Sequence, residues 1–154
     1  MQTGISIDVH PLDPSRPLWL AGILWPNHSG LSGHSDGDVA AHVVAESLLS
    51  ATGLGDLGSI FGVADAANHN ITGVEILQQV AILVAEAGFE IENVAVQIIC
   101  QTPKISDRRI EAQTALTNAL GAQVNLTATS TDGLGFTGRG EGIAAIASAL
   151  VSKK

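Results

Sequence analysis

Asp8-Val9-His10, followed by His34-Ser35-Asp36-Gly37-Asp38-Val39-Ala40-Ala41-His42, sets two short clusters of metal-ligating side chains near the start of the chain. Gly4-Ile5-Ser6-Ile7-Asp8-Val9-His10 alternates strictly, so Ile5, Ile7 and Val9 share one face of a strand while Ser6, Asp8 and His10 share the other. Two residues along a strand span roughly 6.6 Å, which lets a carboxylate and an imidazole converge on one ion. His42 falls one turn into an expected helix, where it can close a facial three-ligand set. An Asp, two His and an open fourth position describe a catalytic zinc site better than a structural one. His34 and the polar side chains beside it are expensive to bury without a purpose. Asp38, His42 and Glu46 repeat at i, i+4, i+8. Glu46 therefore either accepts the spare N–H of a metal-bound His42 or is solvated on an exposed helix face.

A second cluster runs from Thr127 to Gly142: Thr127, Thr129, Ser130 and Thr131 end a strand, Asp132 follows, and a glycine-dense turn presents Arg139. Hydroxyls and free backbone N–H groups make an anion cradle, and the guanidinium forks onto phosphate. No GxxxxGK[ST] is present, so this is not a P-loop. A third stretch, Cys100-Gln101-Thr102-Pro103-Lys104, ends a strand that Pro103 bends away. Its backbone either meets the edge of a flat heterocycle or is an ordinary strand exit. His28 and His69 sit in polar loops and read as surface residues.

The elements that must hold these groups follow from periodicity and turn chemistry. A strand is expected at about residues 3–9, then a proline-punctuated loop from Pro11 to Pro17, then a hairpin over Leu18–Trp25 turning near Ala21-Gly22. A polar loop from Asn27 to Gly37 delivers His34. A helix from about Asp38 to Thr52 is capped by Asp36 or Asp38 and stopped by Gly53. Leu54–Asn70 reads as irregular with one short turn near Leu57–Phe61. Further expectations are a helix over Thr72–Ala87, a buried strand over Glu92–Gln101, a helix over Ser106–Leu120 capped by Ser106, and a strand over Val124–Thr131. Gly142–Val151 stays open: its alanines favour helix, its glycine-rich approach a buried strand.

Composition narrows the function classes. At 154 residues the chain reads as one domain, 1–154. Hydrophobic content of 45% with 14% charged residues exceeds what a self-contained monomer needs, so part of the surface is expected to be covered by further copies. A formal charge of −8 with seven Lys and Arg speaks against nucleic acid, yet admits an anionic small substrate where metal ions reverse the local sign. The single cysteine excludes an internal disulfide. No apolar run approaches a membrane span and no leader opens the chain, so the expected location is cytoplasmic.

Taken in order, Asp8-Val9-His10, Ser32-Gly33-His34-Ser35-Asp36-Gly37-Asp38-Val39, Gly55-Asp56-Leu57-Gly58 and Gly135-Phe136-Thr137-Gly138-Arg139-Gly140-Glu141-Gly142 resemble the 2-C-methyl-D-erythritol 2,4-cyclodiphosphate synthase family along the whole chain. The resemblance implies an α+β protomer, a four-stranded mixed sheet with helices on one side, and Gly142–Val151 as the fourth strand. It also implies a homotrimer around a threefold axis, with active sites between subunits and a place for an isoprenoid diphosphate on the axis. The implied reaction turns 4-diphosphocytidyl-2-C-methyl-D-erythritol 2-phosphate into the cyclic diphosphate with release of CMP.

Carried over by position, Asp8, His10 and His42 hold Zn²⁺, and Asp132 holds a second ion, Mg²⁺ or Mn²⁺. His34 and Ser130 serve the transition state. Asp8, Val9, His10, His34 and Ser35 contact substrate, as do Asp56, Leu57, Gly58, Phe61 and Asp65 around its sugar and erythritol portions. Cys100, Gln101, Thr102, Pro103, Lys104, Ile105 and Ser106 form the cytosine pocket. Thr129, Ser130, Thr131, Asp132, Phe136 and Arg139 line the phosphates. The alternatives are a zinc-dependent phosphoesterase on a related diphosphate, which releases inorganic phosphate, and a trimeric scaffold holding an apolar phosphate-headed ligand.

Overall fold

The computed structural model describes residues 1–62 and 70–154. Its elements are β1 (Gln2–Leu20), β2 (Ile23–Leu31), α1 (Val39–Thr52), α2 (Leu57–Phe61), α3 (Gly73–Glu86), β3 (Phe89–Ile99), a 3-10 turn (Ile105–Asp107), α4 (Arg109–Leu120), β4 (Val124–Thr129), α5 (Gly135–Gly138) and β5 (Gly142–Lys153). The strands form one mixed sheet in the order β2-β1-β5-β3-β4, with β3 and β4 parallel and the other pairs antiparallel. The α+β class is as expected. The sheet has five strands rather than four.

The extra strand comes from β1, which does not stop before Pro11. Its first half pairs with β5 as far as Pro11↔Gly142, and from Leu12↔Leu31 onward its partner is β2. Pairing slips between Asp13 and Pro17 and again between Pro17 and Leu18. Prolines lacking an N–H are tolerated at such irregularities, where no ladder bond is lost. The segment Pro11–Pro17, expected as a loop, is thus a bulged stretch of strand, and the polar residues from Asn27 onward become the end of β2. The predicted hairpin turn is present, with Ala21 at φ 55° and Gly22 at φ 78°. A two-residue loop with both residues left-handed matches the twist of its flanking strands.

β5 corrects the reading that composition favours and agrees with the one the resemblance implies. Ile143, Ala145, Ala147, Ala149 and Val151 are buried, while Ile146, Ser148 and Leu150 between them are more open. That period of two is a strand's. The alanines and Gly4 keep this face shallow, so α1 lies almost on the backbone. A Cβ at Gly4 would stand 2.1 Å from the Ser47 carbonyl oxygen.

On β1 the usual polarity is reversed. Ser6, Asp8 and His10 point toward α1, whereas Ile5, Ile7 and Val9 remain 71%, 68% and 47% exposed on the opposite face. The aliphatic row faces outward and the ligating row lies beneath a helix. Elsewhere, α3 opens on Thr72 with a reciprocal Glu75 capping box, as its sequence suggests. α4 opens at Arg109 rather than Ser106, because Ser106 belongs to the preceding 3-10 turn. Among the described residues no helix is long and apolar enough to cross a membrane.

Candidate functional site

Asp38 places α1. Its Oδ1 accepts hydrogen bonds from Ala41 N at 3.0 Å and Ala21 N at 2.9 Å, and its Oδ2 accepts one from Gly22 N at 2.7 Å. One buried carboxylate therefore caps the helix and ties it to the β1–β2 turn. Of the two caps the sequence allows, Asp38 is the one used. Val39 to Ala45 are all buried, His42 included. The helix has no freedom to rotate His42 away from β1.

The three predicted ligands meet. Asp8, His10 and His42 offer donor atoms within 4.8 Å of one another. Asp8 Oδ2 lies 2.8 Å from His10 Nε2 and 3.6 Å from His42 Nδ1. The two imidazoles are tilted by 58° with centroids 5.1 Å apart. Burial alone would raise the Asp8 pKa, but hydrogen bonds from both histidines outweigh it and hold the carboxyl well below its ordinary range. Burial would lower His10; the hydrogen bond and charge of Asp8 reverse that and raise it.

Donor chemistry tests whether a metal fits. His10 Nδ1 donates to the Gly37 carbonyl oxygen at 2.9 Å, which orients the ring with Nε2 toward Asp8. Nε2 donates to that carboxylate when the ring is protonated and offers a lone pair to a metal when it is neutral. His42 turns Nδ1 toward the same oxygen, and its buried Nε2 has no hydrogen-bond partner among the described residues. Two imidazole nitrogens facing one carboxylate oxygen form a donor set that a cation can share, and mixed N and O donors suit zinc. The residues fit the ion.

Gly37 escaped the sequence reading; the signal was a glycine inside a ligand-bearing loop. Glu46 does not reach His42. Its Oε2 accepts from Leu57 N at 2.9 Å, satisfying the first free N–H of α2. Arg16 was also missed, hidden in a proline-bearing stretch read as loop; it donates to the carbonyls of Gly33 and Ser35.

The remaining candidates lie at strand and helix ends. His34 is exposed and Ser35 half-buried. Asp56 caps α2, accepting from Ser59 N at 2.7 Å, with Leu57, Gly58 and Phe61 following it in that helix. Asp65 lies outside the described residues. After β3, Cys100, Pro103 and Ile105 turn inward while Gln101, Thr102, Lys104 and Ser106 face out. Burial pushes the Cys100 thiol up to about 11, so it is no nucleophile at neutral pH. Arg108 braces this stretch, donating to the Leu24 carbonyl oxygen at 2.6 Å with its guanidinium over the Trp25 ring.

On the phosphate side, Thr129, Ser130, Asp132 and Phe136 are exposed, and Thr131 donates to the Leu134 carbonyl oxygen at 2.6 Å. The turn closes tightly, since a Cβ at Gly138 would lie 2.3 Å from the Gly133 carbonyl carbon. Arg139 is exposed, and its Nε donates to Glu141 Oε1 at 2.7 Å.

Comparison with known proteins agrees with this geometry. The model of the YgbB family matches residues 1–152. Over 154 residues the chain is 54% identical to the 2-C-methyl-D-erythritol 2,4-cyclodiphosphate synthase of Cutibacterium acnes, covering 99% of this chain and 92% of that one. It is 53% identical over 153 residues to the bifunctional enzyme IspD/IspF of Clavibacter michiganensis, of whose length it spans 37%. A solved 2C-methyl-D-erythritol-2,4-cyclodiphosphate synthase in its CDP-bound form is similar with a TM-score of 0.89 and 29% identity, covering 98% of this chain and 100% of that one.

Proposed function

The chain belongs to the YgbB family, and on that premise we propose that it is a cyclodiphosphate synthase of isoprenoid synthesis. It converts 4-diphosphocytidyl-2-C-methyl-D-erythritol 2-phosphate to 2-C-methyl-D-erythritol 2,4-cyclodiphosphate and releases CMP. The observation that carries this reading is the convergence of Asp8, His10 and His42, set by elements far apart in sequence. Two further observations support it: about 50% identity to named synthases over nearly the whole chain, and the CDP-bound structure of similar fold.

The chemistry is an electrostatic and positional problem. The substrate's 2-phosphate must approach its own diphosphate, and at 4 Å with an effective dielectric near 20 each pair of unit charges repels by about 4 kcal/mol. Every ~1.4 kcal/mol left uncompensated costs a factor of ten in rate. Asp8, His10 and His42 would hold zinc, and Asp132 would hold Mg²⁺ or Mn²⁺. When bound, these ions cancel phosphate charge and polarise the phosphorus under attack. His34, Ser35 and Ser130 orient the reacting phosphates, so nucleophile and target meet within one folded substrate. No protein nucleophile takes part, in keeping with the inert Cys100 thiol.

Cys100–Ser106 take the cytosine, Asp56–Gly58 the hydroxyls, and Thr129–Asp132, Phe136 and Arg139 the phosphates. The protomers form a homotrimer with active sites between subunits. The exposed row Ile5, Ile7 and Val9 supports this, because aliphatic side chains on an open sheet face call for a cover. Incubation with the cytidyl substrate, Zn²⁺ and Mg²⁺ tests the proposal: CMP and the cyclic diphosphate are expected. Release of inorganic phosphate without CMP would mark a phosphoesterase instead.

A further inference from the structure

We propose that Arg16 is a positioning residue that sets the His34–Ser35 backbone relative to the metal ligands; this rests on the roles given above to His34 and Ser35. Its Nη1 donates to the Gly33 carbonyl oxygen at 2.9 Å and its Nη2 to the Ser35 carbonyl oxygen at 2.6 Å. The two prongs of one planar guanidinium therefore straddle His34. Fork-shaped donors fix two acceptors at once, which the single ammonium of a lysine cannot reproduce.

The loop needs such a hold. Ser35 sits at φ 67°, a conformation that a residue with a Cβ adopts only where its surroundings impose it. Downstream, the chain is already tied: Asp36 accepts from Asp38 N and from Gly73 N, both at 3.0 Å, and Gly37 accepts from His10. Among the described residues, the hydrogen bonds that Gly33 and Ser35 make to β1 come from Arg16.

Arg16 is itself held. It lies in the bulged part of β1, where Asp13 Oδ1 accepts from Ser15 N at 3.0 Å. β2 presses on the same backbone: a Cβ at Gly30 would lie 2.5 Å from the Arg16 carbonyl oxygen. One strand thus carries two metal ligands, Asp8 and His10, and six residues later the brace for His34. The bulge that breaks the β1–β2 register is what lets a strand residue serve this loop. The metal and His34 are indexed to a common backbone.

The test compares wild type, Arg16→Ala and Arg16→Lys by hydrogen exchange of the 33–37 amides, zinc content and CMP release. In Arg16→Ala, exchange at 33–37 should rise about tenfold or more while zinc content holds. kcat should drop by roughly 30- to 100-fold, since small misplacements of reacting groups cost about that much. Ethylguanidinium added to Arg16→Ala should restore part of kcat, and Arg16→Lys should fall between the two. Unchanged exchange, or faster exchange with wild-type kcat, overturns the proposal. So does a kcat loss that simply follows zinc loss or unfolding. Should Arg16→Ala fail to fold, Arg16→Lys is judged by the same criteria. A wild-type protein that releases no CMP sinks the synthase reading instead, and the exchange data still decide whether Arg16 holds the loop.

Discussion

The metal corner and the phosphate-facing rim are built in opposite ways. Asp8, His10 and His42 lie between a strand and a helix buried through its first two turns, with an orienting carbonyl already in place at Gly37. Thr129 to Arg139 follow the end of β4 largely in the open, and Arg139 spends its guanidinium on Glu141. One corner is finished by intrachain packing. The other offers groups whose partners, on the proposed account, arrive with the substrate and a neighbouring subunit. Preorganisation is concentrated where charges must be held apart from water, and adaptability where a large anionic ligand has to enter.

The sharpest way to break this contrast is His42→Ala. Removing one of three ligands should lower CMP release by about 10³-fold or more, because several kcal/mol of charge compensation is lost. Chain assembly, followed by light scattering, should survive. Loss of the proposed trimer in that variant would make the metal corner structural rather than catalytic.

Ile7→Asp attacks from the other side. It puts a carboxylate in the middle of the exposed aliphatic row while leaving the ligating face of β1 alone. Burying that charge in an interface costs several kcal/mol, so sedimentation should show monomers. Activity should fall by roughly a hundredfold with zinc still bound. Full activity in a monomer would mean that one chain completes the site.

Asp132→Asn probes the open rim. It should raise the Mg²⁺ concentration needed for half-maximal rate by about tenfold, the equivalent of ~1.4 kcal/mol. An unmoved magnesium titration would take Asp132 out of the metal account.

The smallest effect is one of pH on the metal-free protein. Asp8 is held below its ordinary 3.8, so its contribution is present above that value and fades as pH falls through the lowered one. His10 is raised above 6.5, so its contribution is complete below 6.5 and fades as pH rises through the raised value. The pair therefore stabilises the apo-protein most between these two pH values, and Asp8→Asn should lower the thermal midpoint there and remove its decline at either end. With zinc bound the trend at the alkaline end should reverse, since ligation needs His10 neutral.

Much of the metal corner was legible because its signals are local. A strict alternation put Asp8 and His10 on one side, and the Asp38 cap fixed where His42 falls on its helix. What alternation could not say is which side is inward. Ile5, Ile7 and Val9 share one face by alternation, and that aliphatic face is the open one. Their destination depends on what covers the sheet, which no single-strand pattern encodes. The fifth strand was hidden for a related reason. Pro11, Pro14 and Pro17 signal loop, yet a bulged strand tolerates them, and only the β2 pairing reveals it. In β5 a run of alanines masked a period of two. Their smallness is required by the approach of α1, a tertiary demand that overrides helix propensity. Glu46 was placed by helical spacing alone, and the N–H of Leu57, eleven residues on, competes successfully for it.

The proposed function rests on one cation that Asp8, His10 and His42 would hold. Anomalous diffraction at the zinc edge from crystals of the protein purified without chelator measures that directly. The account predicts one strong peak per chain, in contact with Asp8 Oδ2, His10 Nε2 and His42 Nδ1. A peak elsewhere, or none after zinc is supplied, would contradict it.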